Sequence, residues 1–436
     1  MLIVRASRAI TYQRRISDVL RAHEKLRSTD ERCAYQLLCF NKNWEEIVAN
    51  VPYYSQLRGL KLPKAFRSWE EFREVVPITT RLLVQQYSSA MSNQKRKPDF
   101  HRTTGGSTAE PIQLPAWRSE SRFATADLWY ARGQYGISPS ARLFALWGHS
   151  HLMGSGVRGW INRAKRNVRD GLINIYRYSA YDLSSIAMVK AAVEMQRFRP
   201  DFVLGYSSVL DTFARVNSER RSELRELNVK AVIGAAEGFP FPDSVARLED
   251  LFDAPVAMEY GSVETNLIAH TRKTGGYEVF WWRYLVELGT SKSSLGGQIA
   301  YVTSLYPRCF PLIRYELGDE LVCNSASDNT VGIHEFDRVL GRCNDYVTIP
   351  SGDSFHSELF THAVRGCKQV LGYQLQQSSS GVKLALKPGP DFDESVILRI
   401  KYSLLNVDRR LEAVRIVTVA DLIRTRAGKT PMVVRL

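Results

Sequence analysis

Between residues 13 and 26, Ile16, Val19, Leu20 and His23 recur at helical spacing among Arg, Asp, Glu and Lys, which predicts an amphipathic helix packed on the main body of the chain. Further helices are predicted over 69–75, 119–133, 181–197 and 208–225. Short β-branched or apolar runs at 143–147, 202–205, 229–234 and 256–260 alternate with them. Strand and helix patterns alternating at this pitch predict an α/β fold with a parallel or mixed sheet. From Gly296 the texture becomes strand-rich, with runs at 298–304, 311–315, 320–323 and a glycine-interrupted one at 339–349. Strands at 371–375, 383–386 and 414–419 and a helix at 394–404 then predict a small α+β unit. The pattern divides near residues 340–342, giving a large domain over 1–340 and a small one over 341–436, with no internal repeat.

Composition narrows the class. A chain of 436 residues with 44% hydrophobic and 24% charged residues, 28 Gly and 17 Pro is ordinary globular material, which excludes disordered, collagen-like and coiled-coil classes. None of the six cysteines, Cys33, Cys39, Cys309, Cys323, Cys343 and Cys367, forms a CxxC pair, so reduced thiols are expected. No apolar run reaches the roughly 18 to 20 residues of a membrane-spanning helix. At the N-terminus Leu2, Ile3 and Val4 precede Arg5, Arg8, Arg14 and Arg15, the reverse of a secretory signal, and a cytoplasmic protein is expected.

Lys and Arg number 59 against 45 Asp and Glu, a net charge of +14 that favours an anionic partner. The basic residues are spread along the chain rather than gathered in a tract, so no DNA partner is expected. The densest stretch, 158–169, reads as a solvated helix face.

Candidate chemistry lies in five segments. Thr103-Thr104-Gly105-Gly106-Ser107-Thr108-Ala109-Glu110-Pro111 combines glycines, which let backbone N–H groups approach an anion, with hydroxyl donors; this suits phosphate oxygens, although the same composition also makes an ordinary polar turn. It lacks the Gly-Lys-Ser/Thr ending of a P-loop. Met258-Glu259-Tyr260-Gly261-Ser262-Val263-Glu264 ends an apolar strand in an aromatic, a glycine and a carboxylate, at the kind of strand end where α/β proteins bind ligands. Tyr260 there suits stacking on a base and Glu264 suits Mg²⁺; the bland alternative is a strand, a turn and a surface acid. In 311–319, Gly318 and Asp319 are expected to form a turn after a strand, with Asp319 an acceptor for ribose hydroxyls. Gly341-Arg342-Cys343-Asn344-Asp345 falls at the division between domains, and Gly428-Lys429 lies near the C-terminus. A His149/His151 pair has no evident third metal ligand; with Trp147 it is as well suited to lining a carboxylate pocket as to a structural role. Trp281, Trp282 and Tyr284 read either as a pocket wall or as core.

Taken in order, these segments resemble the adenylate-forming enzymes, specifically the phenylacetate-CoA ligase family and its capsule-biosynthesis relatives. The likeness covers most of the chain and includes Trp44, Val51-Pro52-Tyr53-Tyr54, Val76-Pro77-Ile78-Thr79 and Gly234-Ala235-Ala236-Glu237. The resemblance implies a large N-terminal α/β domain and a small mobile α+β C-terminal domain with ATP between them. It matches Thr104, Gly105, Gly106, Ser107 and Thr108 to the phosphate loop. Gly234, Ala235, Ala236, Glu237, Tyr260 and Gly261 match the adenine surroundings, and Glu264 the Mg²⁺-linked catalytic carboxylate. Asp319 and Arg342 match the ribose-contacting pair, Asn344 and Asp345 the hinge, and Lys429 the lysine that reaches the α-phosphate.

The implied activity is ATP-dependent, AMP-forming activation of a carboxylic acid, followed by transfer to an amine or to a thiol such as CoA. Four departures bear on it, the first being that Ser351-Gly352-Asp353-Ser354 lacks the basic residue that several adenylating relatives place after this glycine. Ala109 stands where such loops carry glycine, Glu110 replaces a lysine, and Asn344 replaces an acidic hinge residue. These leave open CoA ligation proper, transfer to an amine, and a degenerate nucleotide-binding scaffold in polysaccharide biosynthesis.

Overall fold

The computed structural model describes residues 12, 16–17, 19–21, 24–56, 62–103, 112–147, 156–180, 183–290, 297–324, 331–342, 346–364, 367–424 and 430–436, without the side chains of 156–160, 163, 342, 346, 354, 356, 358 and 362. Its contacts divide the chain into two units, one of Met1–Thr104, Pro111–Ser140 and Met258–Leu340, the other of Gly105–Glu110, Ala141–Ala257 and Gly341–Leu436. The fold is mixed α/β.

In the first unit the longest helix is Thr29–Asn50. Ser28 accepts from the Glu31 amide at 3.2 Å while the Glu31 carboxylate accepts from the Ser28 amide at 3.0 Å, a reciprocal cap that satisfies two donors the helix cannot. Phe40, Trp44, Ile47 and Val48 line its buried face and pack on Phe66, Phe72, Leu285 and Leu305. Gln36 is also buried there, and its amide donates to the carbonyls of Trp281 and Tyr284 at 2.9 and 3.0 Å. The described residues from 12 to 25 are helical as expected, with Val19 buried. Strands Tyr284–Thr290, Gln298–Ser304 and Tyr315–Val322 run antiparallel to their neighbours. Val256–Ser262, Asn266–Thr271 and Tyr277–Val279 pair with one another in that order, also antiparallel. Trp281, Trp282 and Tyr284 are core: each is at most 4% exposed.

In the second unit, strands Val232–Ala235, Phe202–Tyr206, Leu143–Leu146 and Ile175–Tyr178 lie side by side and parallel. Both faces are covered, which is why they are near-continuous apolar runs rather than alternating ones. Phe144, Leu146, Val203 and Val232 meet Met188, Met195, Val209, Leu210, Phe213 and Leu248 from the covering helices. Residues 370–435 add a sheet ordered Arg415–Thr418, Gly381–Pro388, Val370–Ser378, Val433–Arg435, with helix Glu394–Val407 packed on it through Val396, Ile400 and Leu404. Phe241 joins this core, and the Tyr373 hydroxyl donates to the Pro240 carbonyl at 3.1 Å.

Three elements differ from expectation. The helix expected over 208–225 is Ser207–Val216, a 3₁₀ turn and Arg221–Arg225; Asn217 closes the first helix, its side chain and backbone amide both donating to the Phe213 carbonyl, at 2.9 and 3.0 Å. The expected strands 311–315 and 320–323 are one strand, Tyr315–Val322, which begins only after Arg314 with its positive φ of 46°. Gly318 and Asp319 therefore do not form a turn after a strand. They lie inside it, where the pairing jumps from Ile299↔Glu320 to Tyr301↔Glu316 and Gly318 takes φ 76°, a bulge that re-aims the residue that follows.

Candidate functional site

Tyr260 sits near the end of strand Val256–Ser262, with Tyr277 and Phe336 edge-on to its ring at 6.3 and 5.8 Å. Its hydroxyl donates to Asp319 Oδ2 at 2.9 Å. The bulge at Gly318 thus brings together two side chains far apart in the chain. Gly261 is required where it stands: a Cβ there would lie 2.1 Å from the Asn266 carbonyl oxygen and 2.7 Å from Leu267 Cα. The tight hairpin that follows ends with Glu264 in the turn, 8% exposed.

The Glu264 carboxylate faces cation and hydroxyl. Arg81 Nη1 and the Tyr315 hydroxyl each lie 3.4 Å from its Oε1. Arg81 is the first residue of helix Arg81–Tyr87, capped by Thr80, whose hydroxyl accepts from the Leu83 amide at 3.4 Å. The preceding Thr79 exchanges backbone hydrogen bonds with Arg314 and Glu316 at 2.9 and 3.0 Å. The segment Val76–Thr79 is therefore docked on the start of the strand that carries Tyr315 and Asp319, and that docking delivers Arg81 to Glu264. Among the described residues no group of three or more His, Cys, Asp or Glu gathers as a metal site. A single carboxylate still fits Mg²⁺ in the manner of nucleotide enzymes, where one or two carboxylates share the ion with substrate phosphates.

Arg314 is structural. It is buried, its Nε lies 3.2 Å from Glu287 Oε2, and its Nη1 donates to the Arg73 and Val76 carbonyls at 2.8 and 2.6 Å. Burial pushes the Glu287 carboxyl above its ordinary range, against the opposing pull of Arg314.

The second unit holds Gly234, Ala235, Ala236 and Glu237 at the end of strand Val232–Ala235, with Ala236 at φ 72°. Glu237 turns onto the N-terminus of helix Ser207–Val216, where its Oε1 accepts from the Ser208 amide at 3.0 Å and its carbonyl from the Ser207 hydroxyl at 2.8 Å. Positive backbone charge at a helix start suits a carboxylate. Arg342 ends strand Arg338–Arg342, with its side chain outside the described part. Thr104, Gly105, Gly106, Ser107, Thr108, Asn344, Asp345, Lys429, His149 and His151 lie outside the described residues. The hydroxyl-glycine segment is nevertheless framed by a hairpin, Phe100–Thr103 against Gln113–Ala116, paired up to Thr103↔Gln113.

Sequence reasoning missed Arg81, Tyr315 and Arg308, the last of which donates through Nη2 to the Glu264 carbonyl. Arg81 carried one usable signal, its place directly after Pro-Ile-Thr-Thr; Arg308 carried none.

No helix among the described residues is long and apolar enough to cross a membrane. No protein-family model matches the chain, and no curated protein does. Solved structures do. A 2-hydroxyisobutyryl-CoA ligase in the postadenylation state, in complex with R3-HIB-AMP, matches with a TM-score of 0.70 at 15% identity over 94% of this chain and 90% of that one. The anthranilate CoA ligase AuaEII, in complex with anthranoyl-AMP, matches with a TM-score of 0.51 at 13% identity over 77% of this chain and 67% of its own. ATP-bound MatB from Rhodopseudomonas palustris gives 0.51 at 12% over the same shares, 77% and 67%. The chain has the fold of these ligases, nearly end to end in the first case.

Proposed function

We propose that the chain is an ATP-dependent, AMP-forming carboxylate ligase. A carboxylate oxygen of the acid attacks the α-phosphorus of ATP, the bond from that phosphorus to the β-bridging oxygen breaks, and pyrophosphate leaves with the bonding pair. The acyl-adenylate then loses AMP to an attacking thiol or amine. The observation that carries this reading is the 2.9 Å Tyr260–Asp319 hydrogen bond, formed at a strand end just ahead of the buried Glu264, in a fold shared with ligases solved with acyl-AMP.

Each residue answers a need of that chemistry. Two anions must approach, and charge grows on nonbridging oxygens as pyrophosphate departs, so preorganised donors and cations are wanted. Thr104 to Thr108 would wrap the phosphates with backbone N–H and hydroxyl groups. Tyr260 and Gly261 with Gly234 to Glu237 would surround adenine, and Asp319 with Arg342 would accept and donate at the ribose. Glu264 would hold Mg²⁺ with triphosphate oxygens; when bound, the ion neutralises charge on the departing pyrophosphate. Lys429 would place its ammonium at the α-phosphate electrostatically, with no proton transfer, carried by a C-terminal domain of 341–436 that pivots near Asn344 and Asp345.

Carboxylate-dependent exchange of labelled pyrophosphate into ATP tests the reading. We expect exchange with one class of acid, slowed roughly 10² to 10³-fold in Lys429→Ala. Equal rates in variant and parent would remove Lys429 from the mechanism. ATP binding with silence across a broad acid panel would favour a nucleotide-binding scaffold. Adding CoA, amino acids or amino sugars then identifies the acceptor. The names of the structural neighbours support CoA, one having been solved with both 2-HIB-AMP and CoA. The changes at Ala109, Glu110 and Asn344 keep an amine in view, as in the phenylacetate-CoA ligase-like relatives of capsule biosynthesis.

A further inference from the structure

The Glu264 turn is held from behind by buried charge, and this inference rests on the reading of Glu264 given above. Residues 263–265 close the hairpin, where strand pairing leaves carbonyls without partners. Two buried side chains supply the missing donors. Arg308, 4% exposed, donates through Nη2 to the Glu264 carbonyl, and the Tyr284 hydroxyl donates to the next carbonyl, that of Thr265. The Tyr284 hydroxyl also meets that of Tyr306 at 3.1 Å, and the Arg308 guanidinium lies 5.7 Å from the Tyr306 ring.

Arg308 is tied in turn to the strand that enters the hydroxyl-glycine segment. Its Nε lies 3.6 Å from Glu120 Oε2, and Arg102 Nη2 lies 3.4 Å from the same oxygen. The other Glu120 oxygen accepts from the Trp117 and Cys309 amides at 2.8 and 3.0 Å, which fixes the carboxylate. Two guanidiniums thus share one buried carboxylate. Burial, and next the charge of Arg308, lower the Arg102 pKa. Replacing a buried ion cluster by apolar side chains of similar volume is often neutral or stabilising, so stability alone does not account for this one.

We propose that Arg308 is a positioning residue: with Tyr284 it fixes the backbone of residues 263–265 so that Glu264 presents its carboxylate in one orientation, and through Glu120 it couples that turn to the strand of Arg102. The test uses full-length Arg308→Gln, Arg308→Lys and Tyr284→Phe. Mn²⁺ binding in the presence of ATP is followed by electron paramagnetic resonance, the Mg²⁺ dependence of pyrophosphate exchange is measured, and thermal unfolding is recorded beside them. We expect Arg308→Gln to weaken Mn²⁺ binding about tenfold, the lower end of what loss of a residue supporting a metal ligand produces. The Mg²⁺ concentration for half-maximal exchange should rise in parallel. Arg308→Lys should recover part of the loss, and Arg308→Gln should add nothing to Glu264→Gln. A lowered melting temperature with parental Mn²⁺ binding would overturn the proposal and leave Arg308 merely structural. Should Arg308→Gln fail to fold, Tyr284→Phe decides, since it removes one hydroxyl from the same turn: weakened Mn²⁺ binding supports the clamp and parental binding overturns it. Glu264→Gln separates the two levels. Parental Mn²⁺ binding in that variant would defeat the reading of Glu264 itself, whereas lost binding there with none lost in Arg308→Gln defeats only the present inference.

Discussion

Two turns in this chain carry the same frame, Gly-x-x-Glu, after a strand, and they use their carboxylates differently. In 234–237 the acid is spent on its own scaffold: Glu237 accepts from the Ser208 amide at 3.0 Å at the start of a helix. In 261–264 the acid meets side chains instead, and loosely, with Arg81 and the Tyr315 hydroxyl both 3.4 Å from one oxygen. A carboxylate bound to a helix start is fixed by backbone that cannot move aside. Contacts at 3.4 Å from a guanidinium and a phenol can be exchanged for a metal ion or a phosphate-bound cation. Motif matching weights the two acids equally; the geometry ties the first to backbone at a helix start and sets the second against the side chains of Arg81 and Tyr315.

The comparison breaks most readily at Glu264. Glu264→Gln should slow carboxylate-dependent pyrophosphate exchange roughly 10² to 10³-fold, since it removes the anionic ligand that would hold the cation stabilising the departing pyrophosphate, while the urea midpoint of unfolding shifts little. Retained exchange would place the two acids in one class. The glycine of this frame is tested by stability alone. In Gly261→Ala the new Cβ meets backbone at 2.1 and 2.7 Å, which no rotamer relieves, so the hairpin has to open. Denaturant unfolding should register a loss of about 3 kcal/mol, the upper range for an overpacked site. A loss within about 0.5 kcal/mol, the range of an uninvolved surface site, would show that the turn is not built this way.

What the sequence disclosed follows the same division. Strands Leu143–Leu146 and Phe202–Tyr206 were legible because burial on both faces makes them apolar throughout. Strand Tyr284–Thr290 was not, because it carries Glu287, whose burial makes sense only once Arg314 is seen beside it. Helix Thr29–Asn50 went unpredicted: its cap, Ser28 with Glu31, is a short signal, its buried Gln36 interrupts the apolar stripe, and the partners of Gln36 are the carbonyls of Trp281 and Tyr284. At the site, Tyr260, Glu264 and Asp319 were visible as strand-end chemistry. Their supports were not: Arg81 reaches Glu264 across 183 positions and Arg308 across 44, encounters that only the tertiary fold creates.

The first unit, which holds Glu264, also buries a histidine, and that makes it sensitive to acid. Burial, and next the charge of Arg32, push His334 down to about 4, and its Nε2 has no hydrogen-bond partner among the described residues. Below its ordinary pKa of about 6.5 the unfolded chain takes up a proton that the folded chain refuses until about pH 4. Stability therefore falls as the pH is lowered through that window and is unaffected by this group above it, by about 3 kcal/mol in all. Urea midpoints measured from pH 7 to 4 should show the slope in the parent and a flatter profile in His334→Gln. Parallel profiles would mean that other groups set the acid limit.

The smallest effect belongs to the other frame. Glu237→Ala removes the acceptor at the start of helix Ser207–Val216 and should lower stability by about 1 kcal/mol, as loss of a helix cap does. Because the proposed adenine surroundings include this segment, any effect on turnover should appear in KM for ATP and leave kcat at the parental value, whereas Glu264→Gln acts on kcat. The split follows from where each acid is held: a group that shapes the pocket equally in ground and transition states changes binding alone, and a carboxylate that would hold the cation neutralising the departing pyrophosphate changes the chemical step. A fall in kcat for Glu237→Ala as large as that for Glu264→Gln would mean that the helix-bound carboxylate leaves its cap during turnover, and that the two frames work as a pair.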